Sequence, residues 1–336
     1  IISPPRCMKI LFPIWLSFKL IKKGPKHIIS AYDDVNIMVM LSSMMTSNGN
    51  KILLSNHNPL SAVFENSRGK ERVKYILLRR LLPWAFRRAR SVAAVSTGVA
   101  NDLAESLGLP RTSIDVIYNP VISEEPVPLG SSTHPFTDRC RSIVFVGRLV
   151  QQKDIACLIR AFSILIKRTE AKLTIVGEGP DRKNVEAMID ELDLSGHVHM
   201  AGTQDNPMPI IAASDVLALS SRYEGFGNVL IEAMACGTQV VSTDCPHGPA
   251  EILENGRWGQ LVPVGDEAAL ALALERSIKR DFWVDPSALR ARGAEFSVEK
   301  ATRRYLELVG YDVSLLPPES TEAPRSRPAS GPEQTG

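Results

Sequence analysis

Short apolar runs ending in a glycine or a polar turn alternate with longer stretches of helical periodicity. This alternation confines the chain to a parallel α/β architecture. In the second half SIVFVGRL reads as a strand and turn, DIACLIRAFSILIKR as an amphipathic helix, KLTIVGEGP as a strand closing in a glycine turn, and DRKNVEAMIDELDL as a helix. HVHMAGT, VLALSS and QVVSTD follow as strands, with NPMPIIAASD and PAEIL as short helices, the strand pair GRWGQLVPVGD, and a final helix SVEKATRRYLELVG. In the first half HIIS, KILLSN, SVAAVS and IDVIYNP read as strands with helices between them. The Pro- and Ser-rich stretch 119–135 interrupts the pattern as an interdomain linker does. A chain of 336 residues is long enough for two domains. The expected fold is therefore two Rossmann-like lobes, each with a parallel sheet, facing each other across a cleft.

Such sheets bind ligands beyond the carboxyl ends of their strands. That rule singles out the loops after VFVG, TIVG, LALSS and VVSTD, where the unusual residues lie. GRLVQQKD puts Arg148 and Lys153 between a strand and a helix. An Arg fork, a Lys point charge and a helix N-terminus together suit phosphate oxygens, although a solvated pair also fits the spacing. VGEGP carries Gly177 and Gly179, which permit either a simple tight turn or the close approach of a ring. YEGFGNVLIEAMACG, residues 223–237, is more demanding. Gly225 and Gly227 leave the N–H groups of Phe226, Gly227, Asn228 and Val229 open at a helix start, an anion cradle. Glu224 precedes the cradle, and Glu232 lies about one turn inside the helix among apolar residues, where a carboxylate needs a partner. Two carboxylates beside a phosphate cradle repel the phosphate unless they address something else, and sugar or ribose hydroxyls are the obvious acceptors of their attention. A salt bridge from Glu232 to Arg222 or Arg148 is the alternative.

Composition narrows the function classes. The five cysteines are scattered without C-x-x-C pairs, which indicates neither a zinc site nor a disulfide framework and suits a reducing cytoplasm. Residues 1–130 hold 17 Lys/Arg against 9 Asp/Glu, and residues 131–336 hold 22 against 28. Much of the basic excess lies in Arg68–Arg90, where Arg and Lys alternate with Leu, Ile, Trp and Phe. Such a helix either docks on anionic lipid or simply packs its apolar face in the core. No stretch reaches the ~20 apolar residues of a membrane span. Without a full G-x-G-x-x-G and its downstream acid, a dehydrogenase is disfavoured. The tail from Pro317 is Pro/Ser/Glu-rich and reads as disordered.

The order strand-G-R-x-x-x-x-K, strand-G-x-G-P, YEGFGNVLIEAMACGTQVVSTD and GPAEIL resembles the nucleotide-binding half of the retaining family 4 glycosyltransferases (group 1), which have the GT-B fold. The similarity runs from about Ser142 to Gly265, and CPHGPAEIL looks most like bacterial surface-polysaccharide transferases. The resemblance implies a donor site in which Arg148 and Lys153 neutralise the diphosphate with Gly147 and the N–H groups of Phe226–Val229. It gives Glu232 the ribose hydroxyls, Glu224 the transferred sugar, and Gly177, Met200 and Gly202 the base. Transfer would retain anomeric configuration by a front-face route. Metal-independent catalysis, with no cofactor, fits the absence of a D-x-D motif. LLSNHNP makes His57 the candidate near the reacting centre, with Ser96 and Asn119 at turns of the same lobe and His247 at a pocket edge or in a plain loop.

The implied organisation is an acceptor-side lobe over 1–125, a linker over 126–140, a nucleotide-sugar-binding lobe over 141–296, a C-terminal helix over 297–315 and a disordered tail over 316–336. About two βα units at the start of the first lobe have no counterpart, so an inactive or binding-only relative is one alternative and a nucleotide-sugar epimerase another. The partners implied are a nucleotide-sugar donor with UDP preferred, a glycan or polyprenyl-diphosphate-linked acceptor, and the anionic cytoplasmic membrane face, with no nucleic acid.

Overall fold

The computed structural model describes residues 27–44, 52–123 and 141–316, without the side chains of Lys70 and Glu71. The linker expected over 126–140, the tail expected over 316–336 apart from Leu316, and the opening segment before residue 27 lie outside the described residues. Two parallel sheets carry the fold. The first runs β1 (Ile28–Ala31), β2 (Ile52–Asn56), β3 (Ser91–Ala94), β4 (Ile114–Val116), in that spatial order. The second contains β5 (Arg141–Val146), β6 (Ala171–Val176), β7 (Val198–Gly202), β8 (Val216–Leu219), β9 (Gln239–Thr243) and β10 (Gln260–Val262) in the order β10-β9-β8-β5-β6-β7. Two separate parallel sheets are what the two expected Rossmann-like lobes require.

The strands read as apolar runs because helices cover both faces of a parallel sheet. Ile143, Phe145, Leu173 and Ile175 are fully buried with Leu158 and Phe162 of helix Ile155–Leu165, and Leu54 packs with Leu82 and Phe86 of the long basic helix Gly69–Arg88. GRWGQLVPVGD departs from the expected strand pair: only Gln260–Val262 is a strand, joining β9 in parallel at the sheet edge. Its first half instead turns, with Trp258 N–H bonded to the Leu253 carbonyl, so no second strand forms. Of two helices not read in the sequence, Glu267–Lys279 packs on β8, β9 and β10, and Pro286–Ala294 packs on helix Asn228–Cys236.

The second sheet reverses direction between β5 and β8: the chain moves outward from β5 to β7 and then returns to β5's other side. The crevice beyond the ends of β5 and β8 is thus the topological switch point. The last long helix, Val298–Leu308, leaves the second lobe and packs on the first. Ala301, Tyr305, Leu308 and Val309 meet Leu53, Ala93 and Ile117, and the Ser91 hydroxyl donates to the Leu308 carbonyl at 2.9 Å.

Candidate active site

Two loops leave the switch point side by side, residues 147–154 after β5 and 220–227 after β8. They are stitched together at close intervals. Arg222 N–H donates to the Gln152 carbonyl (2.8 Å), Gln152 Nε2 to the Tyr223 carbonyl (3.0 Å), and the Ser220 hydroxyl to the Lys153 carbonyl (2.8 Å). Arg222 pairs with Asp154 at 2.9 Å, a residue held at φ 43 where the loop turns into its helix. Arg222 is therefore engaged elsewhere, which removes one partner imagined for Glu232.

Lys153 reaches across the two loops. Its Nζ lies 2.5 Å from Glu224 Oε1, and the Ser221 hydroxyl donates to the same oxygen at 2.5 Å. Glu224 is buried and Lys153 mostly so. Arg148 stays exposed on the first loop, near enough to Tyr223 to favour its ionised form against burial. Gly177 N–H donates to the Gly202 carbonyl (2.8 Å), which joins the ends of β6 and β7, with Met200 half-buried two residues earlier. Gly177 has φ +136, and a Cβ there would lie 1.9 Å from the Gly147 carbonyl oxygen. Only glycine lets these two loops touch.

Helix Asn228–Cys236 starts at Gly227 (φ 103) with no capping side chain and ends at Gly237 (φ 79). Among the described residues nothing accepts from the N–H groups of Phe226, Gly227, Asn228 or Val229, so four donors stand open at a positive helix end. Glu232 makes no hydrogen bond or ion pair with a described residue, neither to Arg222 nor to Arg148. Burial raises its carboxyl above the ordinary range, opposed by the Lys153 charge. It is a carboxylate held ready without a protein partner.

The first lobe closes directly on these loops. His57, just past the end of β2, lays its carbonyl against Gly225, so that a Cβ on Gly225 would lie 2.0 Å from that oxygen. The Ser55 hydroxyl is 3.1 Å from His57 Nε2, and burial lowers the imidazole's pKa, which keeps it neutral. Ser96 both caps helix Thr97–Leu107, accepting from Val99 N–H, and donates to the Gly225 carbonyl at 3.0 Å. Asn119 Nδ2 donates to Asn228 Oδ1 at 2.9 Å. His247 holds φ 68 and packs against Gly98, lining a 460 Å³ cavity with Leu60, Phe64, Tyr75, Leu78 and Asp102.

Two participants were not visible in the sequence. The Phe226 ring points away from its own N–H, into the other lobe, stacking on Tyr118 (5.2 Å) and meeting Phe296 edge-on (5.6 Å). Glu251 of GPAEIL accepts from Thr97 N–H (2.9 Å), the Thr97 hydroxyl (2.6 Å) and Tyr118 OH (2.8 Å). Among the described residues, no group of three or more His, Cys, Asp or Glu has metal-holding geometry.

This crevice, with its open helix start and two carboxylates beside a lysine, has counterparts among known proteins. A family model described as "Glycosyltransferase Family 4" matches residues 1–125, and one described as "Glycosyl transferases group 1" matches residues 140–280. The first part of the chain thus carries the family 4 glycosyltransferase domain and the second the group 1 domain. The chain is 29% identical over 244 residues to N-acetylgalactosamine-N,N'-diacetylbacillosaminyl-diphospho-undecaprenol 4-alpha-N-acetylgalactosaminyltransferase of Campylobacter jejuni, covering 72% of this chain and 64% of that protein. It is 35% identical over 176 residues to the lipopolysaccharide core biosynthesis glycosyltransferase LpsE of Rhizobium meliloti, covering 50% of this chain and 49% of that one. The chain thus spans between about half and just under two thirds of the length of these relatives. Among solved structures, HepE of Anabaena in complex with UDP superposes with a TM-score of 0.70 at 20% identity, covering 90% of this chain and 83% of that one. No described helix of the chain is long and apolar enough to cross a membrane.

Proposed function

We propose that the chain moves a hexosyl or N-acetylhexosaminyl group, with retention, from a nucleotide diphosphate sugar to a glycan or lipid-linked acceptor in surface-polysaccharide synthesis. UDP is the preferred nucleotide, a preference resting on the family resemblance. The observation that carries the reading is Glu232: a partnerless, largely buried carboxylate one turn behind four open N–H groups and beside Lys153. A ribose diol satisfies the carboxylate while the diphosphate lies on the helix start, and neither ligand part suits both positions. Gly177, Met200 and Gly202 would line the base.

In this reading Arg148, Lys153, Gly147 and the N–H groups of Phe226–Val229 take the diphosphate charge, a role that needs no divalent ion. Lys153 bridges the leaving phosphate and Glu224, and Glu224 addresses hydroxyls of the transferred sugar. The acceptor hydroxyl oxygen forms the new bond to the anomeric carbon on the face the diphosphate leaves. The bond from that carbon to the phosphate oxygen breaks, its electron pair departs with the nucleoside diphosphate, and the hydroxyl proton passes to a leaving phosphate oxygen. Neutral His57 stands where it can orient the sugar or the attacking hydroxyl.

Glu232→Gln tests the assignment by calorimetry. UDP and UDP-sugar should bind about ten- to hundredfold more weakly, the scale of a charged hydrogen bond, and unchanged affinity would sink the role given to Glu232. Transfer or donor hydrolysis by the purified 336-residue chain distinguishes an enzyme from a binding-only relative. The basic helix Gly69–Arg88 is the element we assign to anionic membrane contact, on the cytoplasmic face where nucleotide sugars are found.

A further inference from the structure

A second, smaller cavity of 180 Å³ opens at the end of β1 and β2, walled by Tyr32, Asp33, Asp34, His57, Asn58 and Lys74. It adjoins the donor site through His57, whose ring lines the cavity and whose carbonyl touches Gly225. Its construction is unusual in two respects. Tyr32 sits at φ 74, a region that bulky side chains rarely adopt, yet 64% of its surface is exposed. Its ring stacks loosely on that of His57, centroids 6.2 Å apart, and strained residues of this kind cluster at binding sites. Asp33 is largely buried, and among the described residues its carboxylate has one hydrogen-bond partner, Asn56 Nδ2 at 2.8 Å to Oδ1. The second oxygen is open. Asp34, in contrast, is spent on Lys74 at 2.9 Å.

The charges decide what the cavity can hold. Lys74 is the cation among the wall residues and is already paired with Asp34, while burial keeps His57 neutral. Lys74 therefore offsets the Asp33 charge only in part, while Asp34 beside it and Asp102 from further off add negative charge. A phosphate or carboxylate entering here meets repulsion. A sugar hydroxyl meets an open carboxylate oxygen, and a sugar ring meets the exposed face of Tyr32, the pairing of aromatic face and hydrogen-bond acceptor that suits a pyranose.

We propose that this cavity seats the terminal sugar of the acceptor, with its ring on Tyr32 and a hydroxyl donating to Asp33, and that it selects an uncharged sugar end over a phosphorylated one. The proposal rests on the transferase reading above and names the acceptor class for the same site. Any diphosphate-lipid portion of an acceptor then lies outside the cavity, beyond the sugar that receives the transfer.

Saturation-transfer NMR with UDP present tests it, using methyl hexopyranosides and methyl N-acetylhexosaminides as neutral probes and the matching hexose phosphates as anionic ones. The expected result is binding of at least one methyl glycoside, weakened about tenfold or more in both Asp33→Asn and Tyr32→Ala, with UDP affinity by calorimetry unchanged in both variants. Asp33→Asn keeps the acceptor oxygen facing Asn56, so a purely structural role for Asp33 predicts no such selective loss. The proposal is overturned by UDP binding without any glycoside binding, by glycoside binding indifferent to both substitutions, or by tighter binding of a hexose phosphate than of its methyl glycoside. Failure of the wild-type chain to bind UDP overturns the donor assignment instead, and the glycoside measurement still decides the cavity.

Discussion

Asp33 and Glu232 present the same physical situation in opposite lobes, a carboxylate buried beyond what its protein partners repay. Burial, with help from Asp34, raises the Asp33 carboxyl from 3.8 to about 6. A carboxyl whose pKa is raised by folding binds more protons folded than unfolded, so its contribution to stability is present below the unfolded value and is lost as the pH climbs to about 6. Asp33→Asn should therefore stabilise the chain at neutral pH by about 1–2 kcal/mol and flatten its melting temperature across that window, measured by calorimetric melting at stepped pH. A variant no more stable at neutral pH, or one whose pH dependence is unchanged, would show that Asp33 is not strained by its site. For Glu232 the same logic acts on binding. Hydroxyls favour the ionised carboxylate, so donor binding releases a proton and weakens as the pH falls toward the ordinary carboxylate range. Glu232 was legible in the sequence because an acid among Val229, Leu230, Ile231, Ala233 and Met234 contradicts its neighbours. Asp33 was not, since a pair of aspartates opening a helix looks like ordinary N-terminal charge placement. Tyr32 was hidden more thoroughly, because nothing in its identity announces a positive φ.

At the scale of elements, the basic helix Gly69–Arg88 resolves an ambiguity that periodicity leaves open. The core-packing reading holds on one face, and a second apolar face is left for the membrane contact proposed above. Leu78, Leu82, Ala85 and Phe86 are buried against the first sheet, while Val73, Ile76, Leu77 and Leu81 stand exposed along another side, amid Arg72, Arg79, Arg80, Arg87 and Arg88. A helix with apolar residues on two sides presents the second to something other than its own core. For an anionic bilayer, charge reversal of Arg79, Arg80, Arg87 and Arg88 should cost about 1 kcal/mol per residue in partitioning. Flotation with vesicles containing phosphatidylglycerol would read this as a loss of bound protein that zwitterionic vesicles do not show. Equal flotation of wild type and variant would end the membrane assignment. The donor loops were readable at this scale because their residues are close in sequence and punctuated by glycine. The two helices after β10 were legible on the same ground, Asp266 capping the first and Asp285 with Pro286 opening the second.

Over the whole molecule, the cleft is a set of contacts between residues far apart in the chain. Ser96 on Gly225, Asn119 on Asn228, Glu251 on Thr97 and Tyr118, and Phe226 between Tyr118 and Phe296 each join the two lobes. None of these pairings has a sequence signature, because a single sequence reports local pattern and not which surfaces meet. The sequence reading located His57 near the donor loops only through family resemblance. The physical reason for its nearness, a glycine with no room for a methyl group, is seen only once both lobes are folded.

The closing helix Val298–Leu308 sets the order in which this chain is able to mature. Its Ala301, Tyr305 and Leu308 cover Leu53, Ala93 and Ile117, residues made far earlier during synthesis. While a ribosome is still extending the second lobe, the first has a bare apolar patch and is open to chaperones and to self-association. Synthesis of residues 298–309 supplies the cover, so the first lobe is completed only after the second has been made. A chain ending at Ser297 should accordingly melt in two steps, its first lobe at the lower temperature and cleaved early by limited proteolysis, where the full chain melts in one. If both lobes of the shortened chain resisted protease as in the full chain, the helix would be an ornament of the surface and not the final fastening of the first lobe.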